Sequence, residues 1–350
     1  MNVIQRYVVT KNLGCTKWMC PRFFAALWMT FHFVFLPVSL QAQESFRAMF
    51  YNVENLFDTF DDKRKNDNEY LPKAARRWTY RRYLEKLDNI ARVIFHAGTD
   101  DGVPALVGLC EVENDTCLTA LVRHSLLREA GYDYIMTASP DQRGIDVALL
   151  YRPDVFRLLE KEIIRVPHRR LGKGPTRDIL RVSGRIASGD TLDVFVLHKP
   201  SRAGGTKKSD SYRRTTSQLL ANAVTRLSSV RSHLHVLVMG DFNDYPSDPS
   251  VTSLRKVGLH NLMNDKQGGT YRYRGDWGIL DHLLVSEGML LPDAGIRTSD
   301  AHAQILRLPF LLVEDEKYGG DKPFRTYNGM EYLGGFSDHL PVCVDLFYSW

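Results

Sequence analysis

The sequence has few cysteines. Five occur in 350 residues, and two of them, Cys15 and Cys20, fall within the first 42 residues. The three that remain, Cys110, Cys117 and Cys343, are odd in number and do not show zinc-site spacing. This pattern argues against a disulfide framework and against a structural zinc site. Cys110 and Cys343 lie in apolar runs, where we expect buried thiols.

The sequence also has little net charge outside its beginning. The formal charge is +5, from 46 basic and 41 acidic residues. Residues 1–42 hold four basic residues and no acidic one, which leaves 42 basic against 41 acidic residues, or about +1, for the remainder. A protein that binds a polyanion through overall charge is therefore not indicated, and any phosphate binding must come from local geometry.

Only one long hydrophobic run is present, FFAALWMTFHFVFLPVSL at 23–40. Basic residues precede it and QAQES follows it, a pattern that predicts a signal peptide over 1–42 with cleavage near Ala42. We therefore expect export to the periplasm or the extracellular space, without stable membrane insertion after cleavage. An uncleaved anchor is the alternative, because the run approaches membrane-spanning length. No cysteine follows the run, which argues against a lipoprotein anchor.

No internal repeat or low-complexity linker follows Glu44, so the sequence predicts a single domain over 44–350. Short apolar segments with β-branched residues predict strands. They are FRAMFYNV (46–53), ALVGLCEV (105–112), DVALLYR (146–152), LDVFVLH (192–198), HVLVMGD (235–241), LDHLLVS (280–286) and PVCVDLF (341–347). Two segments with helical periodicity lie between them, 80–94 and 211–229. This mixture predicts an α/β sandwich with helices outside packed sheets.

On helix 80–94, the periodicity places seven residues on one apolar face. They are Tyr80, Tyr83, Leu84, Leu87, Ile90, Ala91 and Ile94.

Polar residues gather at the ends of these strands. Strand ends join the rigid scaffold to the loops, which often carry functional residues. The polar residues are Asn52, Glu54, Glu111, Glu113, His198, Asp241, Asn243, Asp281, His282, Asp338 and His339. Each alone has a structural explanation: Asp241 and Asn243 could build a turn with Pro246, and His198 could be a hydrogen-bonded structural histidine. Glu111 is harder to explain in this way, because a carboxylate at the end of a buried strand is costly unless it is paired or metal-bound.

This combination of groups points to the hydrolysis of a phosphate ester. A divalent cation takes oxygen ligands, and Glu111 with the nearby Asn52 is our first choice for them. Asp241 is placed to orient or deprotonate an attacking water, with Asn243 fixing the geometry. A histidine near the phosphate donates best when a carboxylate holds its other nitrogen, and we expect Asp281 to serve His339 in this way.

Seven motifs resemble those of the endonuclease/exonuclease/phosphatase superfamily, in the order that the superfamily shows. They are YNVENLFD (51–58), LCEVEN (109–114), RGIDVALLYR (143–152), VLHKPSRAGG (196–205), MGDFNDYPSD (239–248), LDHLLVS (280–286) and FSDHLP (336–341). The resemblance implies a DNase I-like four-layer α/β sandwich, with two packed, mainly antiparallel sheets flanked by helices. It also implies a phosphoesterase that depends on Mg²⁺ or Mn²⁺.

The resemblance further implies roles for single residues. Asn52 and Glu111 serve the metal site, and Asp338 lies beside the metal or the catalytic histidine. His198 contacts the scissile phosphate. Asp241 and Asn243 position the water and the phosphate, and Asp281 orients His339. How Asp241 and the two histidines divide the acid and base roles stays open.

The substrate is the least determined property, because one fold serves many phosphate esters. We expect an endonuclease that cleaves nucleic-acid phosphodiester bonds as a monomer. The alternatives are a sphingomyelinase-like enzyme and an enzyme acting on sugar or inositol phosphates. Candidate substrate contacts are Arg202, Tyr271 and Arg325. Lys199, Lys207 and Lys208, in the loop after His198, are further candidates. The alternative is that this loop is solvated and does not contact the substrate.

Two segments leave alternatives open. In TYRYRG (270–275), the tyrosines either belong to the core with Arg272 and Arg274 in solvent, or form a stacking surface for bases. The long segment 300–335, which contains Arg325 and Tyr327, is expected to form part of the cleft wall.

Overall fold

Strands make up most of the regular structure, and helices are few. The computed structural model describes residues 43–167, 174–202 and 205–349. The strands are β1 (Gln43–Leu56), β2 (Leu106–Val112), β3 (Asp133–Met136), β4 (Asp146–Tyr151), β5 (Arg157–Ile164), β6 (Ile179–Arg185), β7 (Thr191–His198), β8 (Val236–Asp241), β9 (Leu259–Asn261), β10 (Tyr271–Tyr273), β11 (Asp276–Gly278), β12 (Asp281–Ser286), β13 (Ile296–Arg297), β14 (Ala303–Ile305), β15 (Leu312–Glu314), β16 (Asp321–Pro323), β17 (Tyr327–Asn328), β18 (Glu331–Tyr332) and β19 (Val342–Ser349). The α-helices are α1 (Tyr80–His96), α2 (Asp115–His124), α3 (Thr206–Ser228) and α4 (Pro249–Thr252).

The strands form two large sheets and three small hairpins. The first sheet has the order β13-β19-β1-β2-β4-β3, with β14 also paired to β19. The second has the order β5-β6-β7-β8-β12-β9. Pairs β1–β2 and β7–β8 are parallel, and the other described pairs of the two sheets are antiparallel. The prediction of two mainly antiparallel sheets is confirmed.

Both faces of the first sheet are buried, which explains why its strands are apolar at nearly every position. On β1, Ala48 and Phe50 point into the core between the two sheets, where Leu237 and Met239 of β8 meet them. The alternate residues of β1 point the other way, into a core that α1 and α2 cover. A strand reverses its side-chain direction at each residue, so one sequence fills two cores.

Helix α3 covers the outer face of the second sheet. Its Leu220 and Val224 pack in one core with Phe195 of β7 and Val238 of β8. The layers are therefore helices, sheet, sheet and helices, as predicted. All seven predicted strands are present, and α3 begins five residues before its predicted start at 211.

The predicted apolar face of α1 is partly wrong. Tyr80 and Leu84 are exposed, with 61% and 41% of their surface accessible, whereas Lys86 and Val93 are buried. Leu84 follows Tyr83, so it lies about 100° away from the stripe that Tyr83 begins. The hydrophobic spacing located the helix correctly, but it wrongly included Leu84, the residue after Tyr83, in the buried face.

Cys110, Cys117 and Cys343 are free and buried, which confirms the prediction of buried thiols at Cys110 and Cys343. The predicted signal peptide over 1–42 lies outside the described residues. Within the part that the structure describes, no helix combines the length and apolarity needed to cross a membrane.

The register of the second sheet places three predicted site residues in one row. His198 at the end of β7 pairs with Asp241 at the end of the parallel β8, and Asp241 pairs with Asp281 at the start of the antiparallel β12. In the neighbouring row, a side chain at Gly240 would collide with the carbonyl oxygen of Leu197, so glycine allows the close approach of β7 and β8 next to Asp241. The sheet itself therefore brings these three groups together.

Candidate active site

A cleft of about 630 Å³ opens at this row. Nine of the eleven predicted site residues line it: Asn52, Glu111, His198, Arg202, Asp241, Asn243, Tyr271, Asp338 and His339. Asp281 lies behind His339, and Arg325 lies in a smaller neighbouring pocket of about 170 Å³. The cleft thus joins residues from both sheets.

Asp241 is the centre of the polar contacts. Its Oδ1 accepts a hydrogen bond from the backbone N–H of Asn243 at 2.8 Å, and its Oδ2 accepts one from Nδ2 of Asn52 at 3.1 Å. Nε2 of His198 lies 3.5 Å from Oδ2. Asn243 has a φ of +50° and also donates from Nδ2 to the carbonyl oxygen of Lys199 at 3.0 Å. Asparagine tolerates this left-handed conformation, which holds both residues rigidly.

His339 is held by a buried carboxylate. Its Nδ1 lies 2.7 Å from Oδ2 of Asp281, so the predicted contact between these residues is present. Nε2 then faces Oδ2 of Asp241 at 3.9 Å. The ring of Tyr271 packs on the imidazole with 4.9 Å between ring centroids. This geometry fixes the tautomer and leaves Nε2 directed toward Asp241.

The two histidines differ in their electrostatic environment. Burial lowers the pKa of His198 well below its usual value, and the charges of Arg177 and Arg143 lower it further. Burial also opposes the charged form of His339, but Asp281, through its charge and its hydrogen bond, raises the pKa of His339 well above the usual value. The surroundings therefore favour the neutral imidazole at His198 and the imidazolium at His339.

The same surroundings affect the carboxylate between them. Burial raises the pKa of Asp241 to about 7, and the charges of Asp281 and Glu111 act in the same direction, while His339 opposes them. A carboxylate with a pKa near neutrality is suited to accept a proton from water.

The predicted metal ligands Asn52 and Glu111 come from β1 and β2 of the first sheet and lie next to Asp241 and His198. Asn52 Oδ1 accepts from the backbone N–H of Glu54 at 3.0 Å, and Glu111 Oε2 accepts from that of Asn55 at 3.1 Å. Oε1 of Glu111 lies 3.9 Å from Nε2 of His198. Glu111 has a φ of +65°, a conformation that costs about 1–3 kcal/mol and is typical of functional positions. The chain thus turns Glu111 out of β2 toward the cleft.

These residues fit a hard divalent cation. Carboxylate and amide oxygens from Asn52, Glu111 and Asp338 are the ligands that Mg²⁺ and Mn²⁺ prefer. His198 Nδ1 and Asp281 Oδ1 are buried without a hydrogen-bond partner among the described residues, so the site has unused polar capacity.

A second set of groups could also hold an ion. Asp241, Asp281 and His339 present ligand atoms within 4.8 Å of one another. In this set the Asp281–His339 hydrogen bond already occupies Nδ1, which favours a proton-handling role for it over a metal-binding one.

Two predicted substrate contacts have protein partners. Arg202 donates to Asp248 at 3.2 Å and stacks over the ring of Tyr245 at 4.6 Å, while still lining the cleft. Arg325 bonds to Glu54 and Asp338 and does not line the cleft. Lys199 is fully buried, with Nζ 2.7 Å from Oγ of Ser217, so it does not reach a substrate. The side chains of Lys207 and Lys208 lie outside the described residues.

In the structure, the tyrosines of segment 270–275 do not belong to the core, so that alternative is wrong. Tyr271 is half-buried and Tyr273 is 58% exposed, and both line the cleft. Arg272, expected in solvent, instead donates to the backbone oxygen atoms of Gly319 and Asp321. The arginine thereby ties the β10–β11 hairpin to the β15–β16 hairpin and leaves the tyrosines facing the cleft.

The segment 300–335 does not form the wall of the larger cleft. None of its residues, all of which are described, lines that cleft. Arg325, Thr326 and Tyr327 line the smaller pocket, and Tyr327 is buried, with its hydroxyl bonded to the backbone oxygen of Arg76.

Sequence reasoning missed five cleft residues, which are Arg143, Ser201, Gly205, Tyr245 and Leu280. All five lie within the seven motifs of the family resemblance, and Tyr245 also lies within the turn after Asn243. Tyr245 stands between turn-forming residues, where a small polar side chain would suffice. This was the sequence signal that could have identified it as a cleft residue. The ring of Tyr245 packs on Gly278, where a side chain would collide with it.

Comparison with solved structures gives the same fold at low identity. A structure described as an endonuclease/exonuclease/phosphatase family protein from Bacteroides thetaiotaomicron has a TM-score of 0.56 and 18% identity, over 88% of this chain and 100% of that one. A mannosyl-6-phosphatase of the same organism has a TM-score of 0.55 and 19% identity, over 86% and 99%. D. rerio TDP2 complexed with a single-strand DNA product has a TM-score of 0.52 and 14% identity, over 86% and 98%.

None of the curated proteins matches the chain. A family model described as Endonuclease/Exonuclease/phosphatase family matches residues 47–347. Members of this superfamily are phosphoester hydrolases, and they generally use divalent metals. Since the match spans both sheets and every residue of the candidate site, the chain belongs to the endonuclease/exonuclease/phosphatase family.

Proposed function

We propose that the protein is an exported phosphodiesterase that depends on Mg²⁺ or Mn²⁺ and hydrolyses phosphodiester bonds in nucleic acid. One observation carries the proposal: a single cleft joins the oxygen ligands Asn52 and Glu111 to the proton-handling groups Asp241 and His339. The apolar run at 23–40 supports export.

The protein's own residues supply most of the chemistry. Asn52, Glu111 and Asp338 hold the metal ion, which when bound polarises a phosphoryl oxygen and offsets developing charge. Asp241 orients the attacking water and accepts its proton, since its carboxylate is fixed by Asn243 and Asn52. His198, with Nε2 3.5 Å from Asp241, contacts the scissile phosphate next to that water.

His339 acts on the phosphate from the opposite side of Asp241. Asp281 holds Nδ1 and stabilises the imidazolium, so Nε2 donates a hydrogen bond to a phosphoryl or leaving oxygen. The buried row across β7, β8 and β12 keeps these groups from reorganising during the reaction.

The tyrosines support a nucleic-acid substrate, in an unpaired strand. Tyr271 packs on His339, and Tyr273 is the more exposed ring two residues further along β10. Aromatic side chains stack on bases of single strands with little regard to sequence. Arg202, fixed over Tyr245, presents a guanidinium at the cleft for a neighbouring phosphate.

A sugar phosphate is the second candidate. The near-neutral charge after residue 42 and the carboxylate partners of Arg202 and Arg325 provide little attraction for a long polyanion. A sugar ring also stacks on tyrosine, and a structure of the same fold is described as a mannosyl-6-phosphatase.

A substrate panel tests the proposal. Purified protein with Mn²⁺ or Mg²⁺ is offered single-stranded DNA, duplex DNA, RNA, a bis-aryl phosphodiester, mannose 6-phosphate and sphingomyelin, each with and without EDTA. Cleavage of a nucleic acid that EDTA and Asp241→Asn both abolish is expected. Release of inorganic phosphate from the sugar phosphate alone would favour the second candidate, and inertness toward every substrate would reject both.

A further inference from the structure

Arg325 occupies a place between two carboxylates at the metal side of the site. We propose that its guanidinium is a fixed positive charge that balances Glu54 and Asp338, so that the centre at Asn52 and Glu111 takes one divalent ion and not two. The inference rests on the proposed function, because it assumes that this centre binds a metal ion. It makes Arg325 a positioning residue and not a substrate contact.

Arg325 bridges the carboxylates of Glu54 and Asp338. Its Nε and Nη2 lie 3.1 Å and 2.9 Å from Oε1 of Glu54, and the same Nη2 lies 3.0 Å from Oδ2 of Asp338. One nitrogen therefore serves two carboxylates that come from opposite ends of the chain. Arginine is suited to this task, since its planar fork binds carboxylates with fixed geometry.

Glu54 is otherwise well placed to bind a second cation. It follows Asn52 by two residues, it is buried, and its φ of +51° turns it out of the regular strand. Yet both of its oxygens already have protein donors, because Oε2 accepts from the backbone N–H of Thr326 at 2.6 Å. A metal ion at Glu54 would have to replace the Arg325 contact.

The balance of charges agrees with a single ion. Three carboxylates, Glu54, Glu111 and Asp338, face two cations, Arg325 and the buried Lys86. With all five groups ionised, their formal charges sum to −1 without metal. One divalent ion reverses this to a single positive charge, which suits an anionic substrate, whereas a second ion would leave three positive charges close together.

Arg325 reaches the carboxylates from behind the cleft. It lines the smaller pocket with Glu54 and Thr326, while Asp338 lines the larger cleft. Asp338 is therefore held by one oxygen from the rear and presents its carboxylate to the metal side. This arrangement fixes the residue next to His339 without using space that the substrate needs.

Counting bound Mn²⁺ tests the proposal. Electron paramagnetic resonance measures both the number of bound ions and the coupling between two ions that lie close together. Wild-type protein and Arg325→Lys, which keeps the charge, are expected to bind one uncoupled Mn²⁺ at this centre. Arg325→Met removes the charge with little change in length, and it is expected to bind a second Mn²⁺ that couples to the first.

Two controls connect the count to this centre. Arg47→Met removes a comparable arginine that does not line the cleft. The Nε and Nη2 atoms of Arg47 bind the carboxylate of Asp345 at distances of 2.7 Å and 2.9 Å. This variant should still bind one Mn²⁺. Glu111→Gln should lose the ion. Melting curves establish that each variant is folded, and if Arg325→Met is not, the counts for wild type and Arg325→Lys decide.

The outcomes are distinct. A coupled Mn²⁺ pair in the wild type, or a folded Arg325→Met that keeps one uncoupled ion, overturns the role of Arg325 and leaves the proposed function standing. Absence of any bound Mn²⁺ in the wild type overturns both.

Discussion

Asp281 and His339 lie 58 residues apart in the sequence and meet through a 2.7 Å contact between Oδ2 and Nδ1. The aspartate begins β12, and the histidine lies in the loop before β19 of the other sheet. The contact thus joins the two sheets at the base of the cleft and determines which imidazole nitrogen faces Asp241.

Replacing Asp281 with asparagine keeps the shape of this contact and removes its charge. We expect Asp281→Asn to lower kcat by about 10²–10⁴-fold with a smaller change in KM, because the imidazolium loses its stabilising partner. Steady-state kinetics on the substrate that the panel identifies provide the measurement. Asp345→Asn, which removes the partner of Arg47 away from the site, is the matched control; an equal loss of kcat in both would argue for a general structural effect.

Glu111 is expected to matter for metal more than for folding. At Mn²⁺ concentrations 100-fold above Kd, a bound ion stabilises the folded state by about 2.7 kcal/mol, and this should raise the melting temperature of the wild type. Glu111→Gln should melt near the metal-free wild type and show no such rise. Thermal melts with and without Mn²⁺ are sufficient. If both proteins gain equally from Mn²⁺, Glu111 is not a ligand.

Tyr273 is the most exposed tyrosine that lines the cleft, and it should contribute binding energy only. Stacking on a base contributes about 1–3 kcal/mol, so Tyr273→Ala should raise KM by roughly 5- to 150-fold with kcat nearly unchanged. Tyr80 on α1 is similarly exposed, and it does not line the cleft. Tyr80→Ala therefore serves as the control, and matching kinetics in the two variants would remove Tyr273 from the substrate site.

Lys199 should make the stability of the protein depend on pH. Burial lowers its pKa to about 7, whereas the unfolded chain has a value of about 10.4. Between these values only the unfolded chain binds the proton, so raising the pH favours the folded state, and lowering it through 7 removes that gain. The slope contributed by this one group is at most about 1.4 kcal/mol per pH unit.

Urea unfolding at pH 7, 8 and 9 measures this slope. Wild type should gain stability with pH relative to Lys199→Met, in which the titrating group is absent. Lys256→Met, at an exposed lysine, should track the wild type. Parallel pH profiles for the wild type and Lys199→Met would show that Lys199 titrates normally.

The parts of the site that sequence predicted are those set by local pattern. Asp241 follows an apolar strand and precedes a turn, so its place at a strand end was readable without knowing the partner strands. Arg325 was not readable in this way, because its partner Glu54 is 271 residues away and nothing in either segment specifies the pairing. It was expected at the substrate and lies instead among carboxylates.

Lys199 shows the same limit. It follows His198 in a glycine-containing loop, where a lysine is usually solvated. Its burial depends on Ser217 of α3 and Ser250 of α4, which accept its hydrogen bonds only after the helices pack on the second sheet. The local sequence pattern predicts backbone geometry well, but it predicts poorly which residues a long side chain will contact.

The row formed by His198, Asp241 and Asp281 has a consequence for folding. Segments far apart in sequence must pair in one register before the three groups are neighbours, and such non-local pairing is slow. A slip of one residue between β8 and β12 would turn Asp281 to the opposite face of the sheet. Catalytic activity during refolding therefore reports the docking of β12 in its native register, and no earlier, partly paired form of the chain should be active.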